Sequence, residues 1–262
     1  MPKANVNGVN INYDIWGAGE PLVLIMGVGA NMMGWYPQIP TLSRHFQVIA
    51  LDNRGAGRSD RPEEYSIPLF VEDTASLLKT LGIDSAHFFG YSMGGMIAQE
   101  LALTHPEMVR SLILGATTPC MSAWPPTATG MPGQVASMEP AEIFEATLCM
   151  AFSDRYIVDH KDELLLNFQI EQPLKAPPQI WQKHLLAALR FDSRDRLGAI
   201  TAPTLVLAGD DDPVILLDGP KYLAENIPNA RLLALPGGRH CFNVEFAEQC
   251  NNAIIEFLTS SR

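Results

Sequence analysis

The chain has few cysteines, little positive charge and no long apolar run. Its four cysteines, Cys120, Cys149, Cys241 and Cys250, lack CxxC and metal-type spacing, so we expect reduced, semi-buried thiols rather than disulfides or a metal site. The formal net charge is −11 and no strongly basic run is present, which argues against nucleic acid or an anionic membrane as a partner. No stretch approaches the roughly 18 apolar residues of a membrane helix, and the N-terminus lacks the apolar segment of a secretory signal. These absences favour a cytoplasmic protein.

What the chain does contain is enough apolar sequence for one large core. Of its 262 residues, 47% are hydrophobic and 18% are charged, as expected of a globular protein rather than a disordered one. The length suits a single α/β domain that carries an insertion. The sequence contains no internal repeat and no low-complexity linker.

The order of the apolar segments predicts the fold class. An N-terminal antiparallel pair, turning at Asn7-Gly8, is followed by alternating strand and helix patterns, which are typical of a doubly wound, mostly parallel sheet. The predicted strands after that pair are 21–26, 46–51, 86–89, 109–114, 203–208 and 231–235, and the predicted helices are 34–45, 68–81, 96–103 and 246–258. Between them, helical patterns at 141–152, 154–170 and 178–191 interrupt the strands. We therefore expect a core domain formed by residues 1–117 and 199–262, and a helical cap, or lid, formed by residues 118–198 above the carboxyl edge of the sheet.

The most informative motif is Gly90-Tyr91-Ser92-Met93-Gly94, a G-x-S-x-G sequence between a strand and a helix. In such an elbow the serine takes a strained backbone conformation that lifts its hydroxyl above the sheet. The glycines let the strand and the helix approach each other. The amide of Met93 then lies at a helix N-terminus, where it can stabilise an oxyanion. The alternative is a glycine-rich turn with an ordinary exposed serine.

A nucleophilic serine needs a base and an acid, and chain order in this architecture is Ser, then Asp or Glu, then His. Of the six histidines, His240 is favoured because it follows Pro236-Gly237-Gly238-Arg239 beyond the last apolar strand. The others are assigned to helix ends, a strand or the cap: His45, His87, His105, His160 and His184. Spacing alone leaves Asp210, Asp211 and Asp212 open as the acid, and Asp212, stiffened by Pro213, is favoured for its reach.

The loop Gly27-Val28-Gly29-Ala30-Asn31 is expected to supply the second oxyanion donor, the Val28 N–H. A phosphate-binding loop is the competing interpretation. It fails because the third glycine of the dinucleotide fingerprint is replaced by Met32 and no P-loop lysine follows.

With these residues in place, the chain resembles the α/β-hydrolase family over essentially its whole length. The run Asp52-Asn53-Arg54-Gly55-Ala56-Gly57-Arg58-Ser59 is similar to the family's Asp-x-Arg-Gly-x-Gly-x-Ser loop, and residues 208–214 are similar to its acid loop, which supports Asp212. Residues 35–114 resemble 3-oxoadipate enol-lactonases and small bacterial carboxylesterases. Met26 stands where the family commonly has histidine, so the surroundings of the oxyanion hole differ, and Ala56 replaces another common histidine. Related haloalkane dehalogenases and epoxide hydrolases carry aspartate at the position of Ser92.

The sequence therefore predicts a serine hydrolase that cleaves carboxylic esters of small to medium apolar substrates through an acyl-enzyme on Ser92, with neither metal nor cofactor. Apolar cap residues suggest an apolar pocket, and the candidate substrate contacts are Trp35, Trp124, Phe144 and Trp181. Two other functions stay open: hydrolysis of an enol-lactone or a C–C bond in aromatic catabolism, and ligand binding on a hydrolase scaffold. The sequence does not give the physiological substrate or the oligomeric state.

Overall fold

The computed structural model describes residues 2–123 and 140–260, with only the backbone described at 140–143. Its strands form one eight-stranded sheet in the order β1-β2-β4-β3-β5-β6-β7-β8. The strands are β1 Lys3–Val6, β2 Val9–Trp16, β3 Pro21–Ile25, β4 Gln47–Leu51, β5 Ala86–Tyr91, β6 Val109–Gly115, β7 Thr204–Gly209 and β8 Ala230–Leu235. The pairs β1–β2 and β2–β4 are antiparallel, and the remaining neighbours are parallel. The predicted fold class is therefore confirmed, including the N-terminal pair.

The helices of the described residues lie on both sides of this sheet and above one edge. They are α1 Ile39–Leu42, α2 Ile67–Thr80, α3 Met93–Thr104, α4 Pro140–Ala151, α5 Asp154–Asp159, α6 Lys161–Glu171, α7 Pro178–Leu189, α8 Asp218–Asn226, α9 Phe242–Glu245 and α10 Ala247–Ser260. Helix α8 was not predicted from the sequence. None of the helices in residues 2–123 and 140–260 combines the length and the apolar character needed to span a bilayer.

Two predicted helices are wrong as single elements. The segment 34–45 contains the end of a 3₁₀ helix, Met32–Trp35, followed by the short α1. Pro37 and Pro40 explain the break, because proline has no backbone N–H to donate to the hydrogen bonds of a continuous helix. The segment 154–170 divides into α5 and α6 at His160, whose backbone angles (φ −125°, ψ 18°) are not helical.

The central strands are buried on both faces, which explains their continuous apolar sequences. Successive side chains point to opposite faces, so Phe88 packs into a cluster with α2 and α3, while Phe89 packs into a second cluster with α10. These two cores fix the strand ends, and with them the loops at the carboxyl edge.

Helices α4–α7 lie in sequence between β6 and β7 and are called here the cap helices. A separate small cluster of buried residues, Phe144, Leu148, Ala151, Phe152 and Leu164, holds α4 and α6 together. The division of the chain into domains at residues 118 and 198 stays a prediction.

Candidate active site

Ser92 lies at the turn from β5 into α3, in the conformation that the motif predicts. Its backbone angles are φ 57° and ψ −121°, one of the few positive φ values at a non-glycine residue in the described chain. Such a conformation is strained and persists only when the surrounding structure enforces it. The Ser92 N–H is bonded to the Gly115 carbonyl at 2.9 Å, so the sheet holds the turn in place.

Close backbone contacts explain the glycines of the motif. A Cβ on Gly90 would lie 2.2 Å from the Gly94 carbonyl oxygen, and one on Gly94 would lie 2.0 Å from the Ile25 carbonyl oxygen. Neither position can therefore accept a side chain without moving backbone. The second contact also brings the end of β3 against the start of α3, next to the serine.

His240 and Asp212 meet at the same edge of the sheet, beyond β8 and β7. The His240 Nδ1 and Asp212 Oδ2 atoms are 2.9 Å apart, and the Asp212 side chain is only 1% exposed. Because a carboxylate only accepts hydrogen bonds, this contact places the imidazole proton on Nδ1 and leaves Nε2 able to accept a proton. The other Asp212 oxygen accepts from the amides of Val214 and Ile215 at 2.8 and 3.0 Å.

The two neighbouring aspartates have other partners. Asp210 accepts a hydrogen bond from the Gly237 amide at 2.6 Å, which ties together the loops after β7 and β8. Asp211 forms an exposed ion pair with Arg239 at 3.2 Å. Of the three candidates that the sequence left open, only Asp212 contacts His240.

The loop that carries His240 is bonded to the sheet and to a cap helix. The hydroxyl of Tyr91, the residue before Ser92 in the chain, donates to the His240 carbonyl at 2.8 Å. The amides of His240 and Cys241 donate to the carbonyls of Met150 and Ala151, at the end of α4, at 3.2 and 2.8 Å. Burial raises the pKa of the Cys241 thiol to about 12, so this cysteine is a neutral packing residue beside the histidine.

Residues 26–32, here called the β3 loop, lie against the serine. A Cβ on Gly27 would lie 2.8 Å from the Ser92 Cβ and 3.2 Å from its hydroxyl oxygen, so the backbone of this loop directly faces the hydroxyl. Val28 follows Gly27 in the loop. On the other side, Met93 is the first residue of α3, and its N–H has no acceptor within the helix. The backbone of two segments, the β3 loop and the start of α3, therefore lies close to Ser92.

The predicted substrate contacts differ in their positions. The prediction for Trp35 is corrected, because this residue is fully buried in the core and has no surface for a substrate. Its ring centroid lies 4.7 Å from that of Phe89 and 6.0 Å from that of Tyr91, so it packs against Tyr91. Phe144 is buried in the cap cluster, where it packs on another phenylalanine. Trp181 lies on the β3 loop, with its Cδ1 2.5 Å from where a Gly29 Cβ would be. Trp124 lies outside the described residues.

Several residues that hold this site were missed by sequence reasoning. Tyr91 occupies a variable position of the motif, which gives no signal. Asn53 donates to the Met26 carbonyl at 2.8 Å, and Asp52 accepts from the Met32 amide at 2.8 Å, so the two ends of the β3 loop are bonded to the segment after β4. His184 was assigned only to the cap, yet it is fully buried against the same loop.

Comparison with known proteins agrees with this geometry. A sequence profile described as the alpha/beta hydrolase fold matches residues 20–247. The chain belongs to the α/β-hydrolase family. A protein of Azorhizobium caulinodans named carbamate hydrolase RutD is 31% identical over 268 residues, which cover 98% of each chain.

Solved structures of family members superpose over nearly the whole chain. The enol-lactonase of Burkholderia xenovorans LB400 has a TM-score of 0.88 at 27% identity and covers 98% of this chain and 100% of its own. The meta-cleavage product hydrolase of Pseudomonas fluorescens IP01 has a TM-score of 0.87 at 25% identity and covers 100% of this chain and 98% of its own. The chain is therefore a hydrolase whose relatives act on several kinds of bond.

Proposed function

We propose that this hydrolase cleaves carboxylic esters of small to medium apolar substrates through an acyl-enzyme on Ser92. The observation that carries the proposal is the 2.9 Å contact between His240 Nδ1 and the buried Asp212, at the same sheet edge as the strained Ser92. A serine hydroxyl alone is a poor nucleophile, and this pair supplies the base and its orienting acid. The proposed substrate is a small molecule, and the proposed location is the cytoplasm.

In the proposed mechanism, His240 Nε2 removes the Ser92 proton as the serine oxygen attacks the substrate carbonyl. The amides of Val28 and Met93 donate to the tetrahedral oxyanion. The protonated imidazole, stabilised by Asp212, then gives its proton to the leaving alcohol. Water activated by His240 attacks the acyl group and releases the acid and the free serine.

The experiment compares the wild-type chain with Ser92→Ala on a series of p-nitrophenyl esters of increasing acyl length. We expect turnover to fall by at least about 10³-fold in the variant, because the nucleophile is absent. A fluorophosphonate probe is expected to label Ser92 in the wild type and nothing in Ser92→Ala. Wild-type turnover no faster than that of Ser92→Ala would instead favour a ligand-binding protein on a hydrolase scaffold.

A second candidate is hydrolysis of an enol-lactone or of a C–C bond in a vinylogous diketone. Its support is the likeness to the enol-lactonase and to the meta-cleavage product hydrolase described above. The same serine, histidine and aspartate would act, so only substrates distinguish the two candidates. Strong turnover of enol-lactones or diketones with negligible turnover of p-nitrophenyl esters would reverse the order of these proposals.

A further inference from the structure

His184, on the cap helix α7, is the only histidine of the described chain that is fully buried, with 0% exposure. Both of its ring nitrogens have backbone partners in two different loops of the core. Nδ1 lies 3.2 Å from the Gly29 amide nitrogen, and Nε2 lies 2.9 Å from the Arg54 carbonyl oxygen. Since the amide is a donor and the carbonyl an acceptor, the ring is neutral, with its proton on Nε2.

The contact between α7 and these loops is close enough to exclude side chains from the loops. A Cβ on Gly55 would lie 2.9 Å from His184 Nε2 and 2.7 Å from Ile180 Cγ2, and one on Gly29 would meet Trp181. Both glycines have positive φ values, 84° and 65°. The helix therefore packs directly on the backbone of the β3 loop and of the segment after β4.

Three hydrogen bonds fix the peptide groups around Val28. The Gly27 carbonyl accepts from the Ala30 amide at 3.3 Å, and the Gly29 amide donates to His184. Because a trans peptide is planar, with its N–H opposite its C=O, the first bond sets the direction of the Val28 N–H and the second fixes the following peptide plane. The third bond, from Asn53 to the Met26 carbonyl, holds the plane before them.

We propose that His184 is a positioning residue of the oxyanion hole: by accepting the Gly29 N–H, it holds the Val28 N–H toward the tetrahedral intermediate on Ser92. This inference rests on the proposed function, which assigns the Val28 amide to the oxyanion. The other two bonds come from the core itself, whereas the bond to Gly29 comes from the cap. The imidazole thus links the packing of α7 to the geometry of the reacting centre.

Three variants test this role. His184→Leu removes both hydrogen bonds and puts an apolar side chain in the place of the imidazole. His184→Gln keeps an amide oxygen that can accept from Gly29 and an NH₂ that can donate to Arg54. Leu185→Ala, at the next position of α7, removes packing against the core but leaves the His184 side chain in place, and serves as the matched control.

The measurements are kcat and KM on p-nitrophenyl acetate, the inhibition constant of a trifluoromethyl ketone, and amide hydrogen exchange of residues 27–31. In His184→Leu we expect kcat to fall by about 10²-fold, as when one oxyanion donor is lost, with KM within about threefold. The trifluoromethyl ketone forms an oxyanion on the serine, so its inhibition constant is expected to rise by a similar factor. The amide hydrogens of the β3 loop are expected to exchange faster. His184→Gln is expected to stay within about threefold of the wild-type kcat, because both bonds are restored.

The inference is supported if the kcat of His184→Leu is below about a tenth of that of Leu185→Ala, while the kcat of His184→Gln is at least about a third of the wild-type value. Every other combination overturns it, including equal losses in all three variants, which would mean that only stability changed. Failure of the proposed function has a different signature. In that case Ser92→Ala would turn over substrate as fast as the wild type, whereas failure of the His184 inference alone leaves the Ser92 dependence intact.

Discussion

Lowering the pH from 7.5 to 5 is expected to reduce the free energy of unfolding by about 2 kcal/mol more in the wild-type chain than in His184→Gln. Burial, only partly offset by the hydrogen bond to the Arg54 carbonyl, lowers the pKa of His184 from 6.5 to about 4. The unfolded chain therefore binds a proton in this range that the folded chain does not. The contribution of neutral His184 to the free energy of unfolding is fully present above pH 6.5 and is lost as the pH falls toward 4.

The magnitude follows from the width of that window. Each pH unit between the two pKa values contributes about 1.4 kcal/mol, and about 1.5 units lie between pH 6.5 and pH 5. His184→Gln keeps both hydrogen bonds but has no proton to bind. The groups around the ring do not add to the difference: burial raises the pKa of Tyr65, which stays neutral, and the Arg54–Asp73 ion pair is present in both proteins.

Urea unfolding followed by far-UV circular dichroism, at constant ionic strength and several pH values, measures both curves. Taking the difference between the two proteins removes the contributions of every other titrating group. Parallel curves for wild type and His184→Gln over this range would refute the reasoning, because they would mean that His184 binds a proton equally in the folded and unfolded chains.

Three further outcomes are expected. Asp212→Asn lowers kcat by about 10⁴-fold, because the amide oxygen stays on the Val214 and Ile215 amides and the NH₂, which cannot accept, then faces His240. Asp210→Asn is expected to stay near the wild type, and equal losses of ester hydrolysis in the two variants would contradict the assignment. Gly27→Ala lowers kcat by at least about 10²-fold with the fold intact by circular dichroism, since the new methyl would lie 2.8 Å from the nucleophile's Cβ. Gly198→Ala, where a Cβ meets nothing within 4 Å, is its control. Asp73→Asn costs about 3–5 kcal/mol in urea unfolding, because it leaves a buried arginine without its carboxylate; a loss below about 1 kcal/mol would contradict this.

The sequence was sufficient to predict the sheet, because strand composition there reflects burial. The elbow was also predictable, since the tight turn from β5 into α3 requires a strained serine between two glycines, which leaves a fixed spacing in the sequence. Contacts between distant segments were not. Asp212 could be preferred over its neighbours but not separated from them, because the choice depends on where the loop after β8 lies.

The positions of Trp35 and His184 could not be predicted from the sequence: the first was expected at the pocket and the second was given no role there. An aromatic residue just after the β3 loop suggests a pocket contact, yet Trp35 is fully buried in the core, where it packs on Phe89 and Tyr91. A histidine in a helical insertion suggests nothing, yet His184 meets two core loops because glycines at 29 and 55 allow α7 to approach. Neither outcome follows from local periodicity, since both depend on how two distant segments pack.

The cap helices contact the site in two chemically different ways, which should differ in their tolerance of substitution. Helix α4 holds the His240 loop through the backbone carbonyls of Met150 and Ala151, and a backbone carbonyl is present whatever the side chain. Helix α7 holds the β3 loop through an imidazole, which few side chains can replace. We therefore expect Met150→Leu, which preserves the helix, to keep kcat within about threefold, while His184→Leu loses about 10²-fold. Ester-hydrolysis kinetics on the two variants measure this. A loss in Met150→Leu as large as in His184→Leu would show that the methionine side chain, and not its carbonyl, holds the base.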